Sequence, residues 1–108
     1  MSRKDQKTYA VPTLVAERLL TWGRSVRAQR VAQKIRSSDL CVRLAISHPT
    51  LSRLERGDAS VTVGTYLSAL HILGILPHAA PALSADLWQL KDADARARPS
   101  TKDDDEYF

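Results

Sequence analysis

The sequence predicts an all-α fold: one compact domain of five helices with flexible termini. Three observations carry this. Apolar residues recur at three- and four-residue steps in successive stretches, the period of a helix face. Residues that start and stop helices punctuate those stretches. No stretch shows a strong strand signal, and no internal repeat is present. At 108 residues the chain suits one domain and is short for two.

The first helix is expected over residues 13–33. Tyr9, Ala10, Val11 and Pro12 lead into it, and Thr13 is its expected N-cap. Leu19, Trp22, Val26 and Arg30 form its stripe. Ile35 and Arg36 connect it to a second helix, with Ser37 or Ser38 as cap and Leu40, Cys41 and Leu44 on one face. Ala45 and Ile46 make a tight turn. The third helix opens at a Ser47 or His48 cap, with Pro49 in the first turn, where a missing N–H costs nothing. Leu51 and Leu54 point inward, and Gly57 ends the helix. Thr62 caps the fourth helix, and Val61 and Tyr66 have the spacing of a hydrophobic staple. Val63, Tyr66, Leu67, Leu70 and Leu73 supply its stripe, which Gly74 and Pro77 end. Residues 77–81 read as a proline-bounded linker, and residues 83–90 as a short fifth helix carrying Leu87 and Trp88. The chain thus divides into a flexible arm over residues 1–12, a domain over 13–90 and a disordered acidic tail over 91–108.

Charge is unevenly spread. From Glu17 to Gly57 nine basic residues stand against three acids, whereas from Asp58 onward four basic residues stand against eight acids. A basic front half suits a polyanion, or equally an ordinary solvated arginine-rich surface. No apolar run approaches the roughly 18 residues that span a bilayer, and no signal-peptide pattern opens the chain. The expectation is a cytoplasmic protein without membrane contact. Cys41 is the single cysteine and reads as a core residue. His71 and His78 have no acidic or thiol partner at ligand spacing, so no metal or other cofactor is expected. Neither a glycine-rich phosphate loop nor a nucleophile with a base at motif spacing is present, which argues against an enzyme.

A short helix, a tight turn and a second short helix with a polar N-terminal face is the geometry that enters the DNA major groove. On the third helix Ser47, His48, Thr50 and Arg53 lie away from Leu51 and Leu54. Arginine can hydrogen-bond guanine O6 and N7 together, and threonine or proline can touch a thymine methyl. Arg43, on the second helix, reads as a solvated surface charge.

The run SSDLCVRLAISHPTLSRLERG, Ser37 to Gly57, resembles the helix-turn-helix of the Cro/repressor (Xre) family, most specifically in its closing LSRLERG. The likeness extends without a gap from Trp22 to Leu76, about half the chain. It implies a lambda-repressor-like fold and sequence-specific DNA binding. By the resemblance, Ser47, His48, Pro49, Thr50 and Arg53 read bases, Ser37 and Arg56 touch phosphates, and Ser52 belongs to the DNA-facing set. Arg30 and Glu55 fall on a pair that forms a salt bridge in several members. Three positions depart from the family pattern. Arg36 and Ser37 stand where Ser or Thr followed by Gln is usual. Ala45 replaces the turn glycine, and Lys34 replaces a glycine before Ile35. Arg36 cannot cap, so a slipped cap is expected, and Ala45 leads us to expect a slightly reshaped turn.

A narrower likeness, in RLERGDASVTVGTYLSALHILGIL, is to HipB-type antitoxins, which pair with HipA-like serine/threonine kinase toxins. The leading expectation is a transcriptional repressor acting as a homodimer on a palindromic double-stranded DNA operator, because one recognition helix covers only about half a turn of DNA. The antitoxin reading adds a HipA-like toxin and autoregulation. The alternatives are a stand-alone or phage-type repressor and a protein-interaction adaptor that reads no bases. Trp88, Tyr107 and Phe108 are candidate partner contacts, the last two following four consecutive acids, Asp103 to Glu106.

Overall fold

Residues 10–90 are described by the computed structural model, and they form five α-helices and no strand. The helices are α1 (Thr13–Ala32), α2 (Ser37–Leu44), α3 (His48–Glu55), α4 (Val63–Ile72) and α5 (Leu76–Ala79). A single 3-10 turn follows at Ala85–Leu87. No helix among the described residues is long and apolar enough to cross a membrane. Most of the arm and the whole tail, Tyr107 and Phe108 included, lie outside the described residues.

The core is built where the stripes meet. Val26 of α1, Leu40 and Cys41 of α2, Leu51 and Leu54 of α3, and Tyr66, Ala69 and Leu70 of α4 are buried together with Val61 and Leu73. α1 packs against α3 and α4, and α2 packs against the same two helices. Leu19 and Trp22 close one side, with the Trp22 ring tilted 54° to Tyr66 at a centroid distance of 6.0 Å. That tilt suits the quadrupoles of two aromatic rings.

The first four helices end in one pattern. The residue after the last turn takes a left-handed conformation and two reverse hydrogen bonds satisfy orphan carbonyls. Gly57 and Gly74 do this at φ 80° and 83°. Lys34 and Ala45 do it at φ 60° and 56°, without the freedom of glycine. The bonds are Ile35 N–H to Arg30 O, Ile46 to Cys41, Asp58 to Arg53 and Ile75 to Leu70, at 2.9–3.0 Å. The α2–α3 turn is therefore not reshaped by Ala45. The alanine adopts the backbone a glycine would, at a steric cost of about 1–2 kcal/mol.

Four boundaries differ from expectation. Thr13 is the first residue of α1 rather than its cap: Pro12 holds the cap position in extended conformation, and no side chain caps the end. At α2 the cap does not slip to Ser37 or Ser38. Arg36 stands there, extended, and again no side chain caps the helix. Pro77 does not end a helix but sits in the first turn of α5, where proline loses no intrahelical bond. Residues 77–81 are thus partly helical, whereas the fifth helix expected over 83–90 is one 3-10 turn with every residue exposed. That segment packs on none of the helices, and a helix this short does not hold without packing.

Candidate nucleic-acid interface

The C-terminal end of α3 is joined to α1 at backbone distance. A Cβ added to Gly23 would lie 2.5 Å from the Leu54 carbonyl oxygen and 2.8 Å from that of Glu55. One added to Gly57 would lie 2.6 Å from the Leu20 Cα. Only glycine at both positions allows the two chains to come this close.

A buried ion pair fixes the same end. Arg30 Nε donates to Glu55 Oε2 at 2.8 Å and Arg30 Nη2 to Glu55 Oε1 at 3.3 Å. Arg30 Nη1 donates to the Ile35 carbonyl at 3.2 Å, so one guanidinium ties α1, the α1–α2 connection and α3 together. The two side chains are only 10% and 12% exposed, and the fork geometry gives the pair directionality.

The loop after α3 is held from within. The Tyr66 hydroxyl donates to the Asp58 carbonyl at 2.8 Å, and burial pushes the tyrosine pKa up to about 12, the nearby Asp58 charge acting in the same direction. Ser60 N–H donates to the Asp58 carboxylate at 2.8 Å, which lowers the aspartate pKa, and Arg53 and Arg56 add to the lowering. Cys41 is buried, and burial raises its thiol pKa, which suits a core residue and not a nucleophile.

The opposite end and outer face of α3 are polar and open. Ser47 is the N-cap and accepts from Thr50 N–H at 3.3 Å. The Ser47 and Thr50 hydroxyls share a hydrogen bond at 3.0 Å, and Arg53 Nη2 donates to Thr50 Oγ1 at 3.3 Å. A ladder at positions i, i+3 and i+6 therefore runs up one face, while Leu51 and Leu54 bury the other. Ser47, His48, Pro49, Ser52 and Arg56 are exposed, and Thr50 and Arg53 are half-buried. The helix is about 12 Å long at 1.5 Å per residue, a size that fits a major groove.

Ser37 is half-buried in the first turn of α2, beside the exposed Arg36. With no side-chain cap there, the first-turn N–H groups of α2 have no helical partner, and such a terminus attracts anions. Arg43 lies exposed in the last turn of α2, where its charge complements the helix dipole. Trp88 stands 63% exposed, far in sequence from this face, with its indole N–H satisfied by the Leu83 carbonyl at 3.2 Å.

Sequence reasoning singled out the face of α3 and the Arg30–Glu55 positions. It missed the approach at Gly23, whose one signal was a glycine inside a helical stripe. It also missed Gln33 Nε2, which donates to the Leu73 carbonyl at 2.9 Å and joins the ends of α1 and α4.

A family model described as a helix-turn-helix domain matches residues 22–83. The match begins at Trp22 in α1 and ends beyond α5, so it takes in α2, the Ala45 turn and α3. No curated protein and no solved structure matches the chain.

Proposed function

Since the chain belongs to the helix-turn-helix domain family, we propose that it is a sequence-specific transcriptional repressor of the Cro/repressor (Xre) type that lays α3 in the DNA major groove. The observation that carries this reading is the Ser47–Thr50–Arg53 ladder on a helix whose other face is core. Its hydroxyls and guanidinium are base-edge donors and acceptors, restrained before DNA arrives. Less side-chain freedom is then lost on binding. His48 and Pro49 supply the tip, and Ser52 flanks the ladder. Arg56, Ser37 and the uncapped start of α2 beside Arg36 grip phosphates and set the register without reading sequence.

The reading includes a homodimer on a palindromic operator, with half-sites about one helical turn, or roughly 34 Å, apart. It places the protein in the cytoplasm. The test is selection from random duplexes followed by titration at several salt concentrations. A defined two-fold site, with affinity falling steeply as salt rises, supports the reading. Salt-dependent binding with no sequence enriched would leave only a phosphate-binding module. No binding at all would favour the adaptor.

A HipA-like kinase toxin is the second partner in this proposal, supported by the HipB-like run from Arg53 to Leu76. Tyr107 and Phe108, behind four acids, are its proposed docking residues. Truncation after Ala95 should then abolish toxin binding and leave operator affinity unchanged. Full toxin affinity in the truncated chain rules the docking idea out.

A further inference from the structure

Among the described residues two apolar surfaces are uncovered, and they match. The first is the strip over residues 83–90. Leu83, Leu87, Trp88 and Leu90 are 66%, 71%, 63% and 66% exposed. The indole N–H is already bonded to the Leu83 carbonyl, so the ring offers apolar surface with no polar group left to satisfy. A monomer rarely exposes a contiguous apolar patch of more than a few hundred Å² without a partner for it.

The second surface is a trough along α1. One part, of about 540 Å³, runs between the start of α1 and the start of α4, lined by Val15, Leu19, Val63 and Tyr66 among others. The other, of about 440 Å³, runs between α1 and α5. Arg18 and Trp22 line both parts, so the two adjoin along one side of α1 and together form the trough. From Val15 to Gln29 it follows α1 for about 21 Å at 1.5 Å per residue.

We infer that the strip of one copy lies in the trough of a second copy, reciprocally, so that the dimer of the proposed repressor is held by two strip-in-trough junctions. Charge agrees. The trough lining contains Arg18 and no acid, and the strip contains Asp86 and no basic residue. Area decides between one junction and two. Four side chains this exposed offer roughly 500 Å², taking about 150–250 Å² for a whole aromatic side chain. One junction therefore buries on the order of 1,000 Å² counting both surfaces, below the roughly 1,200–2,000 Å² of a stable interface. Two junctions related by a two-fold axis reach that range. Because each copy gives its strip and receives its partner's about the two-fold axis, the pair of junctions is isologous and closes at two copies, whereas the same contact without that axis would run head to tail.

The inference rests on the homodimer reading above, and its test uses readouts that separate the two. Sedimentation velocity gives the dimer affinity of the full chain and of Leu87→Asp and Val15→Asp. Thermal unfolding checks the fold, which neither variant should disturb. Leu87 lies outside the core, and an aspartate at position 15 falls in the first turn of α1, where a carboxylate is favourable. Each variant should weaken the dimer at least about 30-fold, the loss of a central interface residue. Mixed, they retain one intact junction and should associate more tightly than either alone. DNA binding to a single half-site should be unchanged in both, so a loss there bears on the DNA-reading proposal and not on the interface. A monomeric wild-type chain, a dimer of wild-type strength in either variant, or a mixture no tighter than its components overturns the inference.

Discussion

At its C-terminal end α3 meets α1 at backbone distance and is locked there: Gly23 lies under the Leu54 and Glu55 carbonyls, Gly57 passes Leu20, and Arg30 forks onto Glu55. At its N-terminal end the cap Ser47 and the first two residues, His48 and Pro49, are exposed, and the contacts made are those of a polar ladder. One end is clamped so that the other can be held out. A helix this short has little stability of its own, so its direction is set by what grips it. The comparison assigns stability to one end and recognition to the other, and it can be broken at either.

The largest expected effect is at the clamp. Gly23→Ala and Gly57→Ala should each destabilise by about 3–5 kcal/mol, since the added methyl meets backbone that cannot rotate away and Gly57 also needs its positive φ. Chemical denaturation checks this. A loss under about 1 kcal/mol would mean the two helices separate easily and the clamp is not one.

The ion pair comes next. Glu55→Gln leaves Arg30 shielded without its counter-charge and should cost about 2–3 kcal/mol. A double-mutant cycle with Arg30→Met should give a coupling above the roughly 0–1 kcal/mol of a surface pair. Additive single effects would show that the fork contributes geometry only.

The smallest effects are expected where the backbone is left-handed without glycine. Lys34→Gly and Ala45→Gly should each stabilise by about 0.5–1 kcal/mol, strain relief outweighing the greater freedom of the unfolded chain. Destabilisation by Ala45→Gly would mean that its methyl makes packing contacts that outweigh the strain.

These residues also show what a sequence can and cannot disclose. The Ser47 and Thr62 caps were legible because a short hydroxyl side chain before a helical run has a local bond to make, and both make it. The staple was legible for the same reason: Val61 and Tyr66 are both buried. The starts of α1 and α2 were not, because Pro12 and Arg36 hold those positions by backbone alone while nearby Thr13, Ser37 and Ser38 look like better caps. Pro77 was read as a stop because proline can end one helix or open the next, and only packing on α4 decides. Gly23 needed Leu54 and Glu55, which lie more than thirty residues away, to become informative. The ladder was legible as residue types on one face, but its hydrogen bonds to and through Thr50 were not.

Central to the account is that the open face of α3 reads bases, and Arg53 is where this is tested most directly. The affinity of wild type, Arg53→Ala and Arg56→Ala should be measured on the selected operator, on single-base variants of it and on random duplex, at two salt concentrations. The account predicts that Arg53→Ala loses about 1–3 kcal/mol on the operator, much less on random DNA, and stops discriminating at one base pair, while Arg56→Ala weakens binding evenly across sequences and lowers the salt slope by about one. Equal losses for Arg53→Ala on operator and random DNA, with discrimination intact at every position, would make Arg53 a phosphate contact and contradict the account.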